Sequence, residues 1–305
     1  MKATRLTLGF CLCMSLFAAE APAPATPELA ADKAEKAEKP DKSRYNLFNP
    51  VPKDQMREMD LDRPDKTNSP TTIDAGHFQL ESTLAEYFRE RDAASHTRTA
   101  GWDFGLPNMR LGVLNDLELN TSLNYCYTEE RTVDGATGQV SHQRGLGDTV
   151  VGGKYNFFGN DGEDHLLKTA LAIQPQFKIP TAHDGLGNGK PELLAIIPFS
   201  LTLPKEFSLA LQPTPGWERS SANTGYVTSF QSTVELSHPL VKNLDAYVEH
   251  WFRVTTEKHQ KGQNTLDFGT IYHLTHNLTV DTAVNLGLNQ ASRRVEWITG
   301  VTLRF

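Results

Sequence analysis

The last eleven residues, Val295-Glu-Trp-Ile-Thr-Gly-Val-Thr-Leu-Arg-Phe305, alternate in side-chain character and end on an aromatic ring. Val295, Trp297, Thr299, Val301, Leu303 and Phe305 fall on one face of such a strand. Glu296, Ile298, Gly300, Thr302 and Arg304 fall on the other. Successive side chains of a strand point to opposite faces, so this pattern gives one apolar and one polar surface. A chain that closes on such a strand, with an exposed Phe at its end, fits a bacterial outer-membrane cylinder, apolar toward lipid and polar toward its lumen. Phe305 is then the expected signal for the machinery that inserts these proteins.

The N-terminus agrees with export. Lys2 and Arg5 precede an apolar run over residues 6–19, followed by Ala18-Ala19-Glu20-Ala21. That run falls short of the roughly twenty residues a spanning helix needs and reads as a secretory signal peptide, residues 1–21, with cleavage expected between Ala19 and Ala25. Cys11 and Cys13 lie inside it, which leaves Cys126 as the single mature cysteine and allows no internal disulfide. The formal charge of −7 is spread over mixed signs and offers no basic stripe for nucleic acid. An exported chain without a spanning helix is either a soluble protein or a barrel.

Residues 22–44 are Ala, Pro, Lys, Glu and Asp with almost no large apolar side chain, so a disordered, solvated leader is expected there. Residues 45–77 are richer, with Tyr45, Leu47 and Phe48 ahead of the turn-prone Asp62-Arg-Pro-Asp-Lys-Thr-Asn-Ser-Pro70. From residue 78 the chain has strand chemistry. Twelve strands are expected at 78–90, 99–113, 116–129, 146–158, 165–179, 192–203, 206–218, 225–238, 244–257, 264–274, 278–289 and 295–305. In the eleventh, Leu278, Val280, Thr282, Val284, Leu286 and Leu288 oppose Thr279, Asp281, Ala283, Asn285, Gly287 and Asn289. The period is two rather than 3.6.

Connection lengths alternate as well. Short joints at Asn115, 159–164, Pro204-Lys205, 239–243 and 275–277 interleave with longer ones at 91–98, 130–145, 180–191, 219–224, 258–263 and 290–294. Short turns at one rim, longer loops at the other and an even strand count describe an all-β, transmembrane, antiparallel up-and-down β-barrel over residues 78–305, with both ends on the short-turn side. A soluble β-sandwich has no reason to sort its loops in this way. Two irregularities are expected in the first strands: a break of parity across Pro107, and a slip that brings Glu86 into phase. Pro175, Pro198, Pro213 and Pro215 each remove a ladder donor.

Alternation points Arg110, Glu118, Lys154, Lys168, Lys178, Glu235, Glu249, Arg253, Asp267 and Asp281 inward. These are the candidate pore-lining residues. Both signs are present, so they either line a passage or pair across the lumen as a polar core. Twelve strands lie between the side-chain-filled eight and the wide sixteen, which suits a narrow pore. Tyr125, Tyr127, Tyr155, Tyr226, Tyr272, Trp102, Trp217 and Trp297 lie near strand ends, as interfacial anchors do.

Tyr45-Asn-Leu-Phe-Asn-Pro-Val-Pro52, Asp62-Arg-Pro-Asp65, Ile73-Asp-Ala-Gly-His-Phe-Gln-Leu-Glu81, Gly145-Leu-Gly-Asp148, Phe177-Lys-Ile-Pro-Thr181 and Gly185-Leu-Gly-Asn-Gly189 together resemble an outer-membrane family named for the meta-pathway of phenol degradation, whose members are often called simply transporters. The resemblance runs from about residue 45 to the end. It implies a barrel associated with uptake of small, aromatic or hydrophobic solutes by passive or facilitated diffusion, and brings no catalytic residues with it. Nothing in the residues themselves selects phenol. Asp62 to Pro70 precedes the first strand on the periplasmic side, so Asp62, Arg63, Asp65 and Lys66 are candidate residues of a small plug that finds partners among the luminal charges.

Other chemistry is set aside on spacing. Twelve-stranded outer-membrane phospholipases place Ser two residues after His on one strand face, and no His here is so followed. Gly185-Leu-Gly-Asn-Gly-Lys190 lacks the spacing of a phosphate cradle. His273 and His276 straddle a short turn and do not make a metal pair. No cofactor or metal motif is present, and the expected partners are membrane lipid, the insertion machinery and a small solute. The alternative is a structural or interaction barrel whose leader touches periplasmic partners.

Overall fold

A computed structural model describes residues 41–92, 96–123, 127–161, 168–183, 186–221 and 224–305. The expected signal peptide, most of the leader, Tyr125, Cys126 and Gly185 lie outside the described residues, as does the Tyr127 side chain.

Twelve antiparallel strands follow one another around a closed sheet. They are β1 (Phe78–Asp92), β2 (Thr97–Leu114), β3 in two stretches (Leu117–Leu123 and Tyr127–Asp134) and β4 in two stretches (Val140–Gly145 and Thr149–Phe158). Next come β5 (Thr169–Ile179), β6 in two stretches (Glu192–Ile196 and Phe199–Thr202) and β7 (Ser208–Arg219). Then follow β8 (Tyr226–Val241), β9 (Leu244–Thr255), β10 (Gln263–Thr275), β11 (Leu278–Gly287) and β12 (Val295–Arg304). Each pairs with its chain neighbours, and β1 also pairs with β12 from Gln79↔Arg304 to Arg89↔Val295. The seam is locked at its end by reciprocal backbone bonds between Phe78 and Phe305, of 3.3 and 2.8 Å. The ladder thus closes around the wall, as a bilayer requires, while among the described residues Val140–Gly145 pairs on one side only, with Tyr127–Asp134.

The outer surface is apolar because the odd or even set that faces out is apolar. Leu119, Phe177, Phe230, Val234, Val280, Val284 and Leu286 are all exposed there. So wide an exposed apolar surface is stable against hydrocarbon and not against water. Aromatic rings cluster on it: Trp217 stacks on Tyr226 at 3.9 Å and Trp102 on Phe104 at 5.9 Å. No helix among the described residues is long and apolar enough to cross a membrane. Crossing falls to the strands, which close into a barrel whose apolar outer face suits lipid.

The irregularities differ in detail from those expected. Pro107 pairs regularly with Ser82; the parity of β2 changes instead at Gly105, whose φ of 63° suits a residue without Cβ. Gly101 and Asp103 face inward before it, Arg110 and Gly112 after it. On β1 the register against β12 shifts between Thr83 and Ala85. That bulge turns Glu86 and Phe88 inward. In β6 the break falls at Ile197-Pro198, between its two stretches. The expected long loop 130–145 is largely strand: β3 runs to Asp134 and β4 starts at Val140, with the turn closed by Gly138 N donating to Asp134 O at 2.7 Å. Conversely, β5 begins at Thr169 rather than 165, so Lys168 precedes the strand and is exposed.

Candidate functional site in the barrel lumen

Residues 41–77 enter from the end of the barrel where β1 begins and β12 ends. A small apolar cluster of Tyr45, Val51 and Ala75, with Met56 against it, seats this segment. Leu47 N donates to Val113 O and Gly76 N to Gly112 O, which stitches it to the end of β2. The two ring nitrogens of His77 stand 2.7 Å from Val51 O and 3.0 Å from Phe305 O, tying the segment to the last residue. Leader residues are involved too. Lys42, expected to be solvated, is buried because its ammonium lies 3.0 Å from Asp74 and 3.3 Å from Asp161.

From Asp60 to Ile73 the chain runs through the interior and meets the wall on every side. Lys154 of β4 donates to both oxygens of Asp62 at 2.8 and 3.0 Å, and Arg110 of β2 lies 3.4 Å away. Arg63 forms a bidentate pair with Asp281 of β11, both bonds 2.8 Å, and donates to Thr83 of β1 at 2.9 Å. Lys66 reaches Asp267 of β10 at 2.6 Å. Thr67 donates to Glu249 of β9 at 2.5 Å, and Asn68 bonds Gln212 of β7 and Gln174 of β5. On the return path Asn156 donates to Pro70 O, and Ile73 N donates to Glu118 of β3. Around the segment Arg110 binds Glu118 in a fork, at 2.9 and 3.0 Å, and Glu81 at 2.9 Å. The barrel interior is therefore polar and filled by a separate strip of chain, with wall-to-wall ion pairs such as Arg110 with Glu118 and Glu81 around it.

The charges are not evenly distributed. Glu235, Glu249 and Asp267 are direct cross-strand partners on β8, β9 and β10, and Asn285 continues the row to Glu296 on β12. Like charges directly opposite one another on a sheet are unfavourable. Lys66 answers Asp267 and, at 3.8 Å, Glu296; Arg293 answers Glu296 and Glu86 at 2.8 and 3.1 Å. Asp65 is placed opposite Glu235 and Glu249, all three within 4.8 Å. The two carboxylates of the inserted segment consequently differ. Burial pushes Asp62 up, but Arg110 and then Lys154 outweigh it and hold that carboxyl below the usual range. Burial and then the Glu235 and Glu249 charges hold Asp65 well above it.

Of the residues marked from alternation, Arg110, Glu118, Lys154, Glu235, Glu249, Asp267 and Asp281 are buried within the lumen. Lys178 and Arg253 sit nearer the long-loop rim and pair locally, Lys178 with Glu192 at 2.7 Å and Arg253 with Glu218 at 2.7 Å. Lys168 is exposed in the turn before β5 and does not line the lumen, because that strand starts after it. Sequence reasoning passed over Glu81, Glu296, Arg293 and Gln212. The first two follow from the alternation of β1 and β12; Gln212 lies between outward residues of β7 by the same rule. Arg293 lies in a loop and carries no such signal.

A family model described as "Putative MetA-pathway of phenol degradation" matches residues 61–305. No curated protein matches the sequence. Among solved structures, the chain is similar to an outer membrane channel from Pseudomonas putida F1, with 11% identity, a TM-score of 0.55, and coverage of 81% of this chain and 100% of that one. It also matches the transport unit of the autotransporter AIDA-I from Escherichia coli, at 11% identity and TM-score 0.48, over 81% and 93% of the two chains. The NanC porin matches at 10% identity and TM-score 0.46, over 74% and 98%.

Proposed function

The chain belongs to this phenol-degradation MetA-pathway family of outer-membrane barrels, and from that premise we propose that it is a passage for small solutes, aromatic or hydrophobic compounds among them, crossing by passive or facilitated diffusion. One observation carries the reading. The lumen is occupied by a tethered polar segment, Asp60 to Ile73, that holds the wall through hydrogen bonds and ion pairs. A barrel packed by its own wall side chains is permanently shut. A filling that arrives from outside the sheet, and whose contacts water can replace one for one, leaves room for an aqueous path when it shifts. Arg63, Lys66 and Asp62 then act as the plug's attachments, and Asp281, Asp267, Lys154 and Arg110 as their wall sites. The likeness in fold to a Pseudomonas putida outer membrane channel supports a channel role. The family description alone supplies the aromatic solutes.

Planar-bilayer recordings test this directly. The full mature barrel should conduct weakly or in bursts, and removal of residues 45–72 should raise its conductance. Arg63→Ala, which leaves the wall intact, should increase the open time. If all three insulate, the barrel is a structural or interaction element instead. Uptake into liposomes of a small phenolic against a size-matched sugar tests the solute class, and equal rates would remove the aromatic preference.

A further inference from the structure

We propose that the lumen holds a divalent cation of the calcium type between Asp65 on the inserted segment and Glu235 and Glu249 on the wall, a clasp that pins the segment to β8 and β9. The three carboxylates each present an oxygen within 4.8 Å of the others. Oxygen-only donors that include several carboxylates are what hard divalent ions select. The wall pair is fixed by the sheet: Glu235 and Glu249 are cross-strand partners, so both must point at the same spot. Glu249 is held further by Lys66 N at 3.1 Å and by Thr67 Oγ1, both from the inserted segment.

Asp65, Glu235, Glu249 and Asp267 gather here, and Lys66, already 2.6 Å from Asp267, is the ammonium that faces them. Several carboxylates sharing a buried site cannot all stay ionised unless something positive joins them.

Tyr247, 6% exposed, has a buried hydroxyl with no hydrogen-bond partner among the described residues. It lies two residues from Glu249 on the same inward face of β9 and opposite Ser237, two residues from Glu235 on β8. Asp65, Glu249, Glu235 and Asp267 are the charged groups around that hydroxyl. Gly269 across from it makes the place: a Cβ there would overlap the Tyr247 ring. Oδ1 of Asp267 is likewise buried and unpartnered. Buried polar atoms left without partners mark a missing water or ion. Here a cation with its remaining water would satisfy both. A cavity of about 290 Å³, lined by Asp65, Glu235 and Tyr247 and reaching Pro239 and Asp245 at the short-turn end, gives access.

The site does not depend on whether the barrel conducts, and its test reads binding. The full mature protein, folded in detergent and stripped with chelator, is titrated with terbium, whose emission a neighbouring tyrosine sensitises. The expected result is saturable emission that calcium displaces, together with a calcium-induced rise in unfolding temperature. Glu235→Gln, Glu249→Gln and Asp65→Asn should each weaken calcium binding at least tenfold, and Glu58→Gln, an exposed acid, should leave it unchanged. Heat-modifiable gel migration reports that each variant is folded; Asp65→Asn, lying outside the sheet, keeps the test decisive if a wall variant fails. Absence of displaceable emission, or emission and calcium affinity that survive all three substitutions, overturns the proposal.

Discussion

Arg63 shows how much one side chain depends on a neighbour's lack of one. Its guanidinium lies against Gly300 of β12, where an added Cβ would overlap Nη2, and from there it reaches Asp281 with two parallel bonds. The planar fork fits a carboxylate in a way that an ammonium does not, so Arg63→Lys is not a conservative change. Arg63→Ala leaves Asp281 buried without its counter-charge, at a cost of about 3–5 kcal/mol to the docked state. Gly300→Ala should displace the guanidinium and cost about 1–3 kcal/mol by overpacking. Both variants should make the segment before β1 cleave faster in limited proteolysis while the β-sheet circular dichroism is unchanged. Asp281→Asn combined with Arg63→Ala should recover part of the loss, and a purely additive double variant would show that the pair is not coupled.

At the scale of the inserted segment, its two acids respond to pH in opposite directions. Asp62 has its folded value depressed, so its contribution is fully present above about pH 3.9 and is lost as pH falls through that lower value. Asp65 has its folded value raised by burial and by Glu235 and Glu249. Its contribution is fully present below about pH 3.9 and is lost as pH rises toward the folded value. In chelator, therefore, the Asp65 end should loosen as pH rises above about 4 while the Asp62 end stays bound. Amide hydrogen exchange resolved along residues 57–72 reads this: exchange near Asp65 and Lys66 should speed up with pH beyond its intrinsic rise. Asp65→Asn should remove that excess. Uniform behaviour along the segment would mean that the two ends do not titrate apart.

Over the whole barrel, the arrangement is an apolar shell around an acidic interior. The row Glu235, Glu249, Asp267 and Glu296, with Glu86 and Asp65 beside it, exceeds the cations Lys66 and Arg293 that answer it. A constriction with fixed negative charge raises the local concentration of cations. Under a potassium chloride gradient the open barrel should show a reversal potential on the cation side, and Glu249→Gln should move it toward zero. A reversal potential on the anion side would place the conducting path away from this row.

The sequence by itself determined the shell. Period-two alternation in β3, β5, β11 and β12, the sorted connection lengths and the terminal Phe305 specify strand count, closure and which face meets lipid, because each is a local property of the chain. It also marked Arg110, Lys154 and Asp281 as inward, since parity within one strand suffices for that. Tertiary structure decided everything that depends on register between distant strands. Only pairing puts Glu235 opposite Glu249 and Asp267, and only pairing places the breaks of parity at Leu84 and Gly105. The path of Asp60 to Ile73 is likewise set by partners more than two hundred residues away, such as Asp281 for Arg63. Alternation fixes the direction of a side chain; which charges it meets is fixed by how the cylinder closes.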